Sequence, residues 1–199
     1  FNADKYLWKA SLSSEAIELV RMVDQCLPAI GIQYNTEKNV YFNKDNAVMV
    51  SFREVTGLPN ITCHFEDVQE AVLKIVFGHE EEQQISLLAE LLNNHPKAKH
   101  FDFIRSEKTL YEILPKGASK GVALQKMADL LGIGIQNTIA VGDYNNDVSM
   151  VKTAGIGFAV ENAVDEVKAV ADYITVSNNR HAISAIIEGL DTGAYLQTN

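Results

Sequence analysis

The chain has 199 residues, 47% of them hydrophobic and 22% charged, which suits a soluble globular protein of one large or two small domains. Its formal net charge of -9, with no run of Lys or Arg to offset it, would repel a phosphate backbone and argues against nucleic-acid binding. No apolar stretch approaches the roughly 20 residues of a membrane-spanning helix, so no membrane partner is expected. Cys26 and Cys63 form neither a CxxC pair nor a zinc-spaced cluster and read as reduced core residues of a cytoplasmic protein.

In chain order, Ser13 or Ser14 can cap a helix running to about Cys26, with Ile17, Val20 and Val23 near one face. Pro28 and Gly31 bracket a turn into short strands over 29–34 and 39–42, and a second helix over 45–55 stops at Gly57 and Pro59. Residues 71–77 read as a compact apolar strand. The acidic run Glu80, Glu81 and Glu82 then suits the positive end of a helix dipole and reads as a solvated helix start. That helix carries Ile85, Leu88, Leu91 and Leu92 at three- and four-residue spacing. A hairpin over 99–105 and 109–114 completes an α+β unit, an antiparallel sheet with helices on one face. Trp8, Tyr41 and Phe42 are expected to pack on that sheet.

After Pro115 the pattern changes. Helices over 120–131, 146–153, 164–170 and 181–190 alternate with strands over 138–141, 157–160 and 173–176. Such alternation predicts a parallel sheet with helices on both faces. Two domains, 1–113 and 114–199, are the simplest account.

The densest chemistry lies in Ile139-Ala140-Val141-Gly142-Asp143-Tyr144-Asn145-Asn146-Asp147. An apolar strand ends at Gly142, and two carboxylates and two amides crowd the turn that follows. Ligands of open α/β sheets bind outside the carboxyl ends of strands, and hard oxygen ligands suit Mg²⁺. Helix capping by Asp143, Asn145 and Asn146 explains that composition about as well. Upstream, Pro115-Lys116-Gly117-Ala118-Ser119-Lys120-Gly121 leads into a helix, where an ammonium can meet phosphate oxygens. Lys116 reads as a solvated surface lysine. Lys120 stands out because the acidic turn follows on the next βα unit. The five histidines have no partner at helical spacing and do not point to a metal.

Together these segments resemble the Cof-type, sugar-phosphatase-like branch of the haloacid dehalogenase superfamily. The likeness continues through Ala154-Gly155-Ile156-Gly157 to Ala171-Asp172-Tyr173, with residues 1–113 similar to the family's type IIB α/β cap. The resemblance implies a Rossmann-like hydrolase core, a Mg²⁺ cofactor and a small phosphorylated metabolite as substrate. It implies that Lys120 neutralises the phosphoryl group and that Asp143 ligates Mg²⁺. Asn146 would contact the phosphate, and Asp147 would support the metal site or Lys120. Asn145 is at least as well explained as a helix cap, and Asn162 lines the rim in some relatives.

The family's nucleophile lies in an N-terminal Asp-x-Asp motif, and no Asp-x-Asp occurs in this sequence. The chain starts Phe1-Asn2-Ala3-Asp4-Lys5, without Met, and is read as a truncated form. The core would then lack its nucleophile strand beside residues 138–141 and expose an apolar sheet edge, so a homo-oligomer through that edge, a swapped pairing or a rearranged edge is expected. Such a chain is expected to show little or no phosphatase activity. A non-catalytic phosphate-binding or regulatory short form is the alternative.

Overall fold

Among the described residues, six strands from the first part of the chain and three from the second build two separate sheets. The computed structural model describes residues 8–56 and 59–195. The chain divides into two compact units, Phe1–Ala118 and Ser119–Asn199.

In the first unit the elements are α1 (Ala16–Cys26), β1 (Gly31–Asn35), β2 (Val40–Lys44), α2 (Ala47–Thr56), β3 (Asn60–Thr62), β4 (Lys74–Gly78), α3 (Glu82–Asn93), β5 (Phe101–Glu107) and β6 (Leu110–Pro115). The strand order is β3-β2-β1-β4-β6-β5. Successive side chains on a strand point to opposite faces. Ile32 and Tyr34, Ile75 and Phe77, and Tyr111 and Ile113 therefore share one face. There they pack against Leu19 and Val23 of α1 and Ile85, Leu88 and Leu92 of α3. Burying each such side chain stabilises the fold by about 1.5–3 kcal/mol before entropy is counted.

Two expectations for this unit need correction. The sheet is mixed rather than antiparallel, because the short strand β3 runs parallel to β2. Its Asn-Ile-Thr segment is too brief to show a period. The helices also do not share one face. Met49 of α2 packs with Val76 and Leu110 on the side opposite α1 and α3. Glycine makes that possible: a Cβ on Gly31 would lie 2.3 Å from Met49 Cγ, and one on Gly78 2.4 Å from its Sδ. Of the residues expected to be buried, Cys26 is exposed and Cys63 half-buried, both as free thiols. Trp8 is 41% exposed. Tyr41 does pack against the core, and the Arg53 guanidinium lies 3.9 Å over the Phe42 ring. Lys116, expected to be merely solvated, donates to Asp102 Oδ1 at 2.6 Å.

The second unit comprises α4 (Lys120–Leu131), β7 (Ile139–Gly142), α5 (Val148–Thr153), β8 (Ile156–Val160), α6 (Asp165–Lys168), β9 (Tyr173–Thr175) and α7 (Ala182–Asp191). The three strands are parallel, in the order β7-β8-β9. Both faces of β8 are covered. A Cβ on Gly157 would fall 2.3 Å from the Val151 carbonyl oxygen of α5. Phe158, the next residue, meets Tyr173 and Tyr195, and Tyr195 packs on Gly189 of α7. Among the described residues β7 is an edge strand, with Ile139 41% exposed.

Helix α4 has both of its ends defined chemically. Ser119 Oγ accepts the Val122 N–H at 3.2 Å, and Gly132 closes the helix in the left-handed region, with φ 67°. Its first turn also presses on α5. The Gly121 N–H donates to Ser149 Oγ at 3.1 Å, and a Cβ on Gly121 would sit 2.5 Å from the Ser149 carbonyl oxygen. Gly121→Ala must push two helices apart and should destabilise the protein by about 1–3 kcal/mol. Urea unfolding measures this, and a wild-type midpoint would show that the contact can yield freely.

Candidate functional site

β7 ends at Gly142, and the chain then turns through Asp143 and Tyr144 into a 3-10 turn, Asn145–Asp147, that feeds α5. Asp147 is 5% exposed. Its Oδ2 accepts the backbone N–H of Asp143 at 3.0 Å and that of Tyr144 at 3.5 Å. Its Oδ1 takes an ion-pair hydrogen bond from Lys120 Nζ. Gly142 makes room for this carboxylate: a Cβ there would lie 2.5 Å from Asp147 Cβ. Lys120 opens α4, so the start of that helix and the turn after β7 meet through one buried carboxylate.

The electrostatics of the two acids diverge. Burial opposes ionisation of Asp147, but the Lys120 ammonium and the N–H groups of Asp143 and Tyr144 outweigh it and hold its pKa below the ordinary value. Asp143 is exposed, and its backbone N–H is bonded to the Asp147 carboxylate. Partial burial and then the neighbouring Asp147 raise its pKa, with Lys120 opposing. One acid is thus a fixed anion, and the other is an acid whose charged form would gain from a further cation.

A cleft of about 470 Å³ opens beside the pair. Val141, Gly142, Asp143 and Asp147 line it, together with Asn178, His181 and Ser184 from the loop and helix after β9. Lys120 and Asn146 are not in that lining. Asn146 is half-buried, one residue before Asp147. The residue at the N-cap of α5 is Asp147 and not Asn145. Asn162 Oδ1 accepts the Asn178 N–H at 3.1 Å, so it holds the loop that forms this wall. His181 had no distinguishing signal in the sequence. Its backbone is left-handed, with φ 55°, where α7 begins. Among the described residues no group of three or more His, Cys, Asp or Glu could hold a metal ion.

A haloacid dehalogenase-like hydrolase family model matches residues 1–187. The 5-amino-6-(5-phospho-D-ribitylamino)uracil phosphatase YwtE of Bacillus subtilis (strain 168) is 34% identical over 149 residues, which are 74% of this chain and 51% of that protein. The 5-amino-6-(5-phospho-D-ribitylamino)uracil phosphatase YcsE of the same organism is 39% identical over 98 residues, 49% of this chain and 39% of that one. The chain spans about half the length of the first curated relatives it matches. Among solved structures, a HAD subclass IIB sugar phosphatase aligns with TM-score 0.81 at 21% identity, over 96% of this chain and 72% of that chain. A protein of Streptococcus mutans UA159 aligns with TM-score 0.82 at 22% identity, over 92% and 70%. At such identities these structures speak for the fold.

Removing the ammonium tests the electrostatics of the pair. In Lys120→Met the carboxyl pKa values of both Asp147 and Asp143 should rise, read by carboxyl ¹³C NMR against pH. A depressed native pKa stabilises the fold above the unfolded value, and that gain is lost as pH falls through the native value. Acid unfolding of the variant should therefore begin at a higher pH than in the wild type. Unchanged titration curves would mean that Lys120 does not face these acids.

Proposed function

Because the chain belongs to the haloacid dehalogenase-like hydrolase family, we propose that it forms the phosphate- and metal-binding part of a Mg²⁺-dependent phosphatase for small phosphorylated metabolites, sugar phosphates foremost. The observation that carries this reading is the meeting of Lys120, Asp147 and Asp143 at the carboxyl end of β7. In it residues 114–199 belong to the hydrolase core and residues 1–113 to a substrate-selecting cap. The phosphatase activity of two curated relatives, YwtE and YcsE, agrees with it.

The residues act in distinct ways. The Lys120 ammonium, already aimed by Asp147, offsets charge on the phosphoryl oxygens. Asp147 has both oxygens engaged, so it works through Lys120 and the Asp143 backbone, while Asn146 would donate to the phosphate. The acids fit an open hard-cation site and not a closed cage, since Mg²⁺ is commonly held by one or two carboxylates plus waters and substrate phosphate. Asp143, whose charged form a neighbouring cation would favour, would be the direct ligand. Bound there, the ion would supply further charge neutralisation to the transferring group.

The nucleophile in this reading comes from outside the 199 residues. A carboxylate there would bond to phosphorus as the alcohol oxygen leaves with a proton from a second acid, and water would then hydrolyse the acyl phosphate. No Asp-x-Asp in the sequence and the open edge of β7 both support this division. They equally favour a second reading for the chain alone, as a phosphate-binding form without turnover. The exposed Ile139 on that edge supports pairing with a second copy.

The chain should bind inorganic phosphate in a Mg²⁺-dependent way by calorimetry, and Asp143→Asn should abolish the metal dependence. It should not turn over p-nitrophenyl phosphate, whereas a longer form carrying the Asp-x-Asp segment should. In that form Lys120→Ala should lower kcat by about 10²–10³. An inactive longer form, or activity indifferent to Lys120, would sink the phosphatase reading.

A further inference from the structure

The cleft beside Asp143 lies wholly within the second unit, and it is a poor place for a phosphate. Asp143 and Asp147 line it, whereas Lys120 stands outside the lining. An anion placed there would meet like charge. Val141, Val160 and Ile183 give the cleft carbon surface, and Asn178, His181 and Ser184 give it a wall of hydrogen-bonding groups. Its volume of about 470 Å³ is far more than a phosphate needs and falls in the range of small-molecule sites.

One residue of that wall pays a conformational cost that the fold does not explain. His181 has φ 55° and ψ 49°, and among the described residues it alone has a positive φ without being glycine. A side chain in this region crowds the backbone, and glycine or asparagine adopts it more easily. The imidazole does not offset that cost locally: it is exposed, so it fills no core, and it makes no capping hydrogen bond to α7. The backbone around it is nevertheless fixed. The Asn178 N–H donates to Asn162 Oδ1 at 3.1 Å, and the Arg180 N–H to the Ser177 carbonyl oxygen at 2.8 Å. The His181 carbonyl oxygen accepts the Ala185 N–H at 3.1 Å. Strain held in place by its surroundings, in a residue that lines a cleft, points to use of the side chain.

We propose that the cleft receives the uncharged, hydroxyl-bearing part of the phosphorylated substrate, and that His181 is a specificity-determining residue that hydrogen-bonds one of its hydroxyls. Side chains of the types Asn178, His181 and Ser184 can each donate and accept, as a hydroxyl can, so the wall matches such a group. Val141, Val160 and Ile183 face its carbon-bound hydrogens. The proposal rests on the phosphatase reading, which holds the phosphoryl group at Lys120 and a metal at Asp143. It adds a contact made by the second unit itself to the selection which that reading assigns to the first.

The test compares two esters on the full chain with Mg²⁺: ribose 5-phosphate, and methyl phosphate, which has the same phosphoryl group and no hydroxyls. By calorimetry the wild type should prefer ribose 5-phosphate, and His181→Gly should cut that preference about tenfold, the loss of one hydrogen bond. His181→Asn tolerates the left-handed backbone and keeps a donor and an acceptor, so it should retain most of the preference. Glycine relieves the backbone, so His181→Gly should not lower the urea midpoint, and its effect on binding is then not one of damaged folding. No preference in the wild type, a preference indifferent to His181→Gly, or an equal loss for both esters overturns the proposal while the phosphatase reading stands. Failure of both esters to bind the wild type counts against the phosphatase reading, and NMR titration with ribose then decides this one. Shifts at residues 178–184 that vanish in His181→Gly uphold it, and their absence in the wild type overturns it.

Discussion

An isolated carboxylate taken out of water is one of the most expensive groups a fold can contain, and Asp147 is nearly inaccessible. It is tolerated because three donors converge on it: the Lys120 ammonium on one oxygen and the Asp143 and Tyr144 amides on the other. Much of the local architecture serves that convergence. Gly142 lets the carboxylate lie against the end of β7, and Gly121 brings α4 close enough to α5 for the lysine to arrive. The same interaction sets the state of Asp143. Partial burial, and then Asp147 held as an anion beside it, raise the pKa of Asp143 above the ordinary value.

The two units handle polar burial differently. In the second, the buried acid is matched within a tight turn, by groups few residues away in sequence except for Lys120. In the first, Gln33 of β1, Lys74 of β4 and Glu112 of β6 share one sheet face, and among the described residues the matching is incomplete at Gln33. The Asp147 network, by contrast, engages both carboxylate oxygens.

Legibility in the sequence follows the range of the interactions. The bounds of α4 can be read because Ser119 and Gly132 carry their own capping chemistry. The acidic turn stands out because a strand, a glycine and two carboxylates follow one another directly. Position alone also singled out Lys120, from the upstream βα unit. What escaped notice depends on strand order. Gln33, Lys74 and Glu112 are distant in sequence and become neighbours only when β4 inserts between β1 and β6. The placement of α2 opposite α1 and α3 depends on Gly31 and Gly78 lying side by side, which no local pattern reveals. His181 reaches the cleft wall only through the return of the chain after β9. Cys26 and Trp8 went astray for a simpler reason: residue type predicts average burial, and individual positions depart from it.

The open edge of β7 bears on how binding and chemistry divide. Among the described residues, the hydrogen bonds that fix Asp147 are made within the second unit, from α4 and from the turn itself. The charge arrangement around Asp143 therefore does not depend on what pairs with β7. A nucleophile does depend on it in the proposed mechanism, because a strand laid along β7 would end beside the same turn. On that reading, affinity for a metal-bound phosphate belongs to residues present in this chain, and turnover belongs to their combination with another segment. Electrostatic preorganisation can exist without the group it is meant to assist, and the Lys120–Asp147 pair has the local support to do so.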